Sequence, residues 1–307
     1  MKILNSIKVR IANPYTDCIK ILNKLSPILS DKVFVSLYYR FKMKRKLNLR
    51  RPVTLNEKLN WLKIYDHNPL YTKLVDKYEV KKWVADKIGC QYIIPTLEIW
   101  DSPEQINWEK LPNQFVLKTT HGGGGDGIVI CVDKDNFDIE KNMEQLNIAM
   151  KTDPYKRFRE WPYKDVKHRI IAEKFMQDGE SITLQDYKFH CFYGEPRFIL
   201  VCKDRFEDTG ITEDFFDCKW NHLPVKRPGI DWSKTEIQAP EHLEQMLEIS
   251  RKLSEGIPFV RVDLYSINNK IYFGEMTFFP SGGKTPFEPE SWDTTFGNWL
   301  KLPLNQE

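Results

Sequence analysis

From Thr54 to Gly89 apolar residues recur at the spacing of an α-helix. In "TLNEKLNWLKIY", Leu55, Leu59, Leu62 and Ile64 fall near helical spacing, and Thr54 followed three residues on by Glu57 is a capping signature. "YTKLVDKYEVKKWVADKIG" repeats the rhythm and stops at Gly89. "QYIIPTLEIW" then turns β-like, which predicts a boundary near residue 95. Beyond it "FVLKTT" and "IVICVD" are apolar, β-branched runs that read as strands. A helix is predicted in "NFDIEKNMEQLNIAMK" and a strand in "HRIIAEKFM". "DYKFHCFYGEPRFILVCKD" predicts a strand pair turning at Gly194 and Pro196, "APEHLEQMLEISRKLSEG" a helix, and "FVRVDLYSINNKIYFGEMT" a last hairpin. The sum is an α+β chain in three parts: a mainly helical region over 1–95, one lobe over 96–175 and a second over 176–307.

Five of the chain's 15 glycines fall in the six residues Gly122–Gly127, between the first two predicted strands. Glycine reaches φ > 0 cheaply and lets a backbone or ligand come close. With Lys118 just upstream, the run reads either as a flexible turn or as a hairpin covering phosphates. Gly122, Gly124 and Gly127 have the GxGxxG spacing of a dinucleotide site, but a strand follows where that motif opens a helix. Ile128 and Val129 stand where a Walker loop needs Lys and Ser or Thr. The protein-kinase loop GxGxxGxV fits through Val129, yet the chain has no HRD or DFG triplet.

The last hairpin carries the second candidate. Asp263 and Glu275 sit on its two strands, and a divalent cation holding a nucleotide's phosphates needs converging carboxylates. A two-residue turn at Asn268–Asn269 would put the acids on opposite faces. A three-residue loop, Asn268 to Lys270, pairs Asp263 with Glu275 and Arg261 with Thr277, and is the expected register. One face would then hold Arg261, Asp263, Glu275 and Thr277, with Val260, Val262, Leu264 and Met276 on the other. In "DYKFH", Asp186, Lys188 and His190 alternate outward, and Lys188 is placed to neutralise a phosphate.

Composition narrows the class. Of 307 residues, 41% are hydrophobic and 29% charged, as in a soluble globular chain, and a net charge of +3 is too near neutral to argue for nucleic acid. No apolar run approaches the roughly 18–20 residues of a membrane-spanning helix. The start, "MKILNSIKVRIANPYTDCIK", is interrupted by Lys8, Arg10 and Asp17 and does not read as a secretory signal. Six cysteines without a CxxC pair fit a reducing cytosol, and six histidines show no HExxH spacing. "RFKMKRKLNLRR" (Arg40 to Arg51) has seven basic residues in twelve, either a solvated helix face or a contact with an anionic polymer or membrane surface. The expected location is cytoplasmic, with peripheral contact at the inner face of the membrane.

The ordered set "FVLKTTHGGGG", "RIIAEKFM", "DYKFHCFYGEPRFI" and "VRVDLYSINNKIYFGEMTFFPSGG" resembles the ATP-grasp superfamily, and more closely its TupA-like branch of bacterial surface-polysaccharide gene clusters. The resemblance covers about residues 50 to 300. It implies two α+β lobes clasping ATP, with Lys118 on the α/β phosphates and Gly123, Gly124 and Gly125 folding over the triphosphate. It further implies Glu173, Lys174 and Phe175 as the hinge whose backbone binds adenine, Glu180 on the ribose and Lys188 on the phosphates. Asp263 and Glu275 would ligate magnesium, and Arg261 would sit over the transferred phosphoryl group. Thr277 departs from the pattern, since many ATP-grasp ligases have Asn there; its hydroxyl can still donate to a metal or phosphate oxygen.

The reaction the resemblance implies is carboxylate activation as an acyl phosphate, followed by attack of an amine. The resemblance further implies a uronic acid of a capsular or teichuronic-type polymer as the acceptor and an amino acid as the amine. Lys284, in "PSGGKTPFEPESWD", is a candidate for holding a carboxylate, against a solvent-facing alternative. Three rival readings remain. A sugar kinase would use Asp186 or Asp204 as base. A glycosyltransferase would need an acid pair such as the "DKD" of Asp133–Asp135, and a nucleotide sensor would do no chemistry.

Overall fold

The computed structural model of the chain describes residues 14–123, 125, 127–179, 184–203 and 211–303. Helices open it: α1 Pro14–Leu25, α2 Asp31–Met43, α3 Leu55–Tyr65, α4 Leu70–Val75 and α5 Glu79–Ile88. The capping signature is realised at α3. Thr54 Oγ1 accepts from Glu57 N, and the Glu57 carboxylate accepts from Thr54 N at 3.2 Å.

Four strands follow: β1 Thr96–Trp100, β2 Phe115–Thr119, β3 Ile128–Cys131 and β4 Ile170–Lys174. They form an antiparallel sheet in the order β1-β4-β2-β3, with β4 paired on both sides. Helix α6, Ile139–Met150, buries Leu146 against this sheet beside Phe115, Leu117, Val129 and Ile170, and the short helix α7 covers Pro154–Phe158.

The second sheet is built from β5 Asp186–Phe192, β6 Glu195–Lys203, β7 Thr212–Asp217, β8 Phe259–Ile267 and β9 Lys270–Thr277, in the order β7-β6-β5-β8-β9. Helix α8, Leu243–Ser254, buries Met246, Leu247, Ile249 and Leu253 against it, and α9, Ser291–Trp299, inserts Phe296 against Phe198 with ring centroids 4.2 Å apart. Residues Leu55 to Val84 of α3, α4 and α5 share this large core rather than forming one of their own. Apolar burial at about 25 cal/mol per Å² therefore ties these helices to the second sheet.

The α+β expectation holds, with both sheets antiparallel. One local expectation is corrected. The β8–β9 turn has two residues, not three: Ile267 pairs with Lys270, and Asn268 and Asn269 take φ of 47° and 60°. That is the geometry a two-residue hairpin turn favours. The expected pairs still form, Asp263 with Glu275 and Arg261 with Thr277, because a bulge at Gly274 restores the register: Leu264 pairs with Phe273 while Asp263 pairs with Glu275. A Cβ at Gly274 would stand 3.0 Å from the Tyr265 ring and 3.1 Å from Asp263 O. On β5, Asp186, Lys188 and His190 are all buried.

Candidate functional site

Strand period puts Arg261 and Asp263 of β8, Glu275 and Thr277 of β9, and Asp186 and Lys188 of β5 on one face of the second sheet. Arg261 grips Asp263 through Nε and Nη2, both at 2.6 Å, and its Nη2 also reaches Glu275 Oε1 at 3.1 Å and Thr277 Oγ1 at 3.0 Å. Lys188 Nζ donates to Asp263 Oδ2 at 2.6 Å and Asp186 Oδ2 at 3.0 Å. Burial would raise the Glu275 carboxyl, but Lys77, Arg261, Lys188 and Lys118 together pull it down to about 2. Asp263 shifts the other way: its burial outweighs Arg261 and Lys188, and Glu275 adds repulsion.

The first sheet contributes a second set. Glu173 of β4, 5% exposed, accepts from Lys118 of β2 at 2.6 Å and from Lys81 of α5. Those cations hold its carboxyl below the usual range against the effect of burial. Lys77, just before α5, bridges the two sets: its Nζ lies 3.5 Å from Glu275 Oε2 and donates to Gly122 O at the root of the glycine hairpin. Five cations (Lys77, Lys81, Lys118, Lys188 and Arg261) thus surround four carboxylates (Glu173, Asp186, Asp263 and Glu275) between the two sheets. Lys77 and Lys81 were not singled out from the sequence. In "DKYEVKKWVADKIG" they look like the solvated lysines of a helix, and no sequence signal separates them from Lys82 or Lys87.

The glycine hairpin joins β2 to β3 as expected, with Thr119 N donating to Gly127 O at 3.0 Å. Gly124 lies outside the described residues, as does Glu180. Gly125 and Gly127 have φ of 93° and 74°, and at Gly127 a Cβ would stand 2.4 Å from Thr119 Oγ1, so that glycine is demanded by the fold. Gly123 is exposed with open space above it and no positive φ, so nothing in the chain itself demands a glycine there. The Glu173 backbone is paired with Thr96 and Val116, and Lys174 N donates to Pro95 O at 3.0 Å. Lys174 is exposed at the strand end. Phe175, one residue past it, lines a cleft of about 340 Å³ with Met176, Ile267 and Tyr272 between the strand end and the β8–β9 turn.

Residues 57–301 match the family described as TupA-like ATPgrasp. The chain belongs to the TupA-like ATP-grasp family. A search of curated proteins gave no match. Among solved structures it is similar to the D-alanine–D-alanine ligase from Helicobacter pylori, with 16% identity, TM-score 0.42, and coverage of 81% of this chain and 69% of that one. The Bacillus anthracis D-alanine–D-alanine ligase complexed with ATP gives 14%, 0.39, 67% and 54%. The ATP-grasp ligase PsnB complexed with a minimal precursor variant, Mg and ADP gives 8%, 0.38, 72% and 57%. The chain spans little more than half the length of the last two.

Membership of the ATP-grasp family raises the question of magnesium. Among the described residues no three His, Cys, Asp or Glu side chains form a ready metal cage. Asp263, Glu275 and the Thr277 hydroxyl are hard oxygen donors on one face, and they fit a magnesium ion that takes its remaining ligands from phosphates and water. No helix of the described ATP-grasp chain is long and apolar enough to cross a membrane.

The depressed Glu275 carboxyl has a consequence for pH. Its folded pKa, about 2 against an ordinary 4.5, contributes stability that is present above about 4.5 and lost as pH falls towards 2. The side chain is a third exposed, so screening leaves on the order of 1 kcal/mol. Glu275→Gln should therefore cost stability at pH 6, and the difference from the unaltered chain should shrink below pH 4.5 and vanish only near pH 2 in urea titrations. A difference that stays constant over that window would rule out the charge effect.

The remaining sequence candidates fall elsewhere. Arg45 of the basic stretch is bound within the fold, to Glu290, to Asp293 at 2.6 Å and to the Tyr39 hydroxyl at 3.1 Å, because α9 packs beside it. Arg40, Lys42, Lys44, Lys46, Arg50 and Arg51 are exposed. Asp133 and Asp135 lie in a short 3₁₀ turn where the Asp133 carboxylate accepts from Asp135 N, a capping role. Asp204 lies outside the described residues. Lys284 is partly buried, with Nζ 4.1 Å from the Tyr38 ring centroid and 4.4 Å from that of Phe158.

Proposed function

We propose that the chain is an ATP- and magnesium-dependent carboxylate–amine ligase working through an acyl phosphate, which joins an amino acid or other amine to a uronic acid of a bacterial surface polysaccharide. The observation that supports it most is the ring of five cations around the Asp263–Glu275 face, between two sheets joined by the Lys77 bridge. A triphosphate brings the negative charge this ring lacks. Lys77, at the root of the glycine hairpin, and Lys118 and Lys81, on either side of Glu173, take the phosphates, and Phe175 at the strand end offers an apolar wall for adenine. Magnesium, when bound at Asp263 and Glu275, supplies charge neutralisation at the phosphates.

An oxygen of the acceptor carboxylate attacks the γ-phosphorus, the bond to the β–γ bridging oxygen breaks, and ADP leaves with the electron pair. Arg261 and Lys188 stabilise the charge spread over the phosphoryl oxygens. The amine nitrogen then attacks the acyl carbon, the carbon–oxygen bond to phosphate breaks, and inorganic phosphate leaves carrying the amine's proton. No enzyme nucleophile is required.

A kinase would need a base beside a hydroxyl. Asp186, the described candidate, is instead held by Lys188 at 3.0 Å, which favours the ligase. The test uses ATP, Mg²⁺ and a panel of uronic acids with hydroxylamine in place of the amine. A ligase yields ADP, free phosphate and a hydroxamate. Radiolabelled γ-phosphate recovered in a stable sugar phosphate would establish the kinase instead.

The exposed basic residues extend this reading, since a polymer on a lipid carrier would be met at an anionic surface. Lys42, Lys44 and Lys46 changed to Glu, with Arg45 left in place, should abolish low-salt sedimentation with phosphatidylglycerol vesicles. If the unaltered chain fails to sediment even at 20 mM salt, on the order of a 20–30 Å screening length, the stretch is only a solvated face.

A further inference from the structure

The ligase reading leaves a second polar cluster unused. It lies where α3, the turn of Trp161–Tyr163 and the Pro280–Gly283 strap meet. The strap follows β9 directly, and Ser281, Gly282 and Gly283 run through it with φ of 50°, 64° and 64°. It is tied down by α3: Lys63 Nζ donates to Gly282 O at 2.6 Å and to Asn60 Oδ1 at 3.3 Å, and Asn60 Nδ2 donates to Gly283 O at 2.6 Å. Lys63 is thereby committed to holding the backbone.

Two charged groups beside the strap are not committed. A Cβ on Gly282 would stand 2.5 Å from Lys284 Nζ and 3.4 Å from Glu160 Oε1, so the glycine lets both groups share one small place. Among the described residues, neither the Lys284 ammonium nor the Glu160 carboxylate makes a hydrogen bond or an ion pair within 4 Å. Lys284 rests instead on the faces of Tyr38 and Phe158, which position it without supplying an acceptor.

Burial raises the Glu160 carboxyl against the opposing pull of Lys63, Lys284 and Arg261, and burial together with Lys63 lowers the Lys284 amine against the opposing pull of Glu160. A partly buried acid and a partly buried amine that decline each other's contact are costly to maintain. The cluster also adjoins the chemistry. Arg261 acts electrostatically on Glu160, and Tyr163 feels Glu160 together with Glu275, Arg261 and Asp263.

We infer that Glu160 and Lys284 form the docking site for the amine substrate, and that this substrate is an amino acid bound as its zwitterion: Glu160 receives the ammonium and Lys284 the carboxylate. The inference rests on the ligase reading and narrows it, since a simple amine would satisfy Glu160 alone and leave Lys284 unmatched. The strap glycines set the spacing of the two charges, and the Tyr38 and Phe158 rings fix the approach of Lys284. Specificity for the whole zwitterion follows from leaving a buried polar group unpaired whenever either half of the guest is missing.

The experiment is direct binding to the full chain, with AMP-PNP and Mg²⁺ present, of the twenty common amino acids and D-alanine, followed by NMR saturation transfer. For any that bind, the matched amine and the matched carboxylic acid (ethylamine and propionate for alanine) are compared. At least one amino acid should bind saturably, with each half-molecule weaker by 10-fold or more. Glu160→Gln and Lys284→Met should each weaken it at least 10-fold, in chains whose circular dichroism is unchanged. If no amino acid binds, or if binding survives both substitutions, the inference is overturned. Hydroxamate trapping by the unaltered chain separates this outcome from the ligase reading. A chain that traps hydroxamate but binds no amino acid loses only the docking site. One that binds an amino acid through Glu160 and Lys284 yet traps nothing loses the ligase.

Discussion

Asp263→Asn should lower ATP-dependent turnover by about 10³-fold, and Glu275→Gln by 10²-fold or more, on the scale of removing one preorganised charge from a phosphoryl-transfer site. Asp263 is the larger because three bonds converge on it: two from Arg261 and one from Lys188, all at 2.6 Å. In the proposed mechanism its neutralisation would remove a magnesium ligand, and it frees Arg261 and Lys188, the two cations assigned there to the phosphoryl oxygens. Glu275 shares Arg261 with it through the same Nη2 and is linked to Lys77, so the two acids act as a unit. The double variant should therefore be little worse than Asp263→Asn alone. ADP release under saturating ATP and Mg²⁺ is the measurement, with melting curves to show that the chain still folds. Either single variant retaining activity within 10-fold of the original would move the metal site elsewhere.

That face was legible because strand period is local: once Asp263 and Glu275 pair, Arg261 and Thr277 must join them. The turn was misread because the reading sought one loop length to fix the register. Gly274, an isolated glycine inside a strand pattern, was the available sign of a bulge. Lys77 and Lys81 were illegible for a different reason. Their place depends on how α5 docks beside β4 and β9, and helical spacing says nothing of which face meets which sheet. The same holds for Glu160 and Lys284, which lie more than a hundred residues apart and meet only because the strap returns to the loop after α7. Periodicity gave the elements and one face of the site; the cations that complete it come from tertiary contacts between elements.

The Glu173 carboxylate gives the second large effect. The sequence resemblance cast this residue as part of the adenine hinge, through its backbone. The structure gives its side chain a separate task, which is to neutralise Lys81 and Lys118. Breaking a buried pair by removing one partner costs about 3–5 kcal/mol, because the remaining charges are left uncompensated. Glu173→Gln keeps the shape and deletes the charge, so without nucleotide it should lower the melting temperature by roughly 10 °C for a chain of this size. A triphosphate would return the missing negative charge. MgATP should therefore raise the melting temperature of Glu173→Gln by more than it raises that of the unaltered chain, and affinity for ATP should be preserved or improved. The opposite pattern, an unchanged melting temperature with ATP binding weakened 10-fold or more, would mean that the carboxylate contacts the nucleotide itself. Lys81 and Lys118 would then be held apart by something other than Glu173. The two outcomes differ on both measurements, so melting curves with and without MgATP decide between a carboxylate that neutralises Lys81 and Lys118 and one that reads the nucleotide.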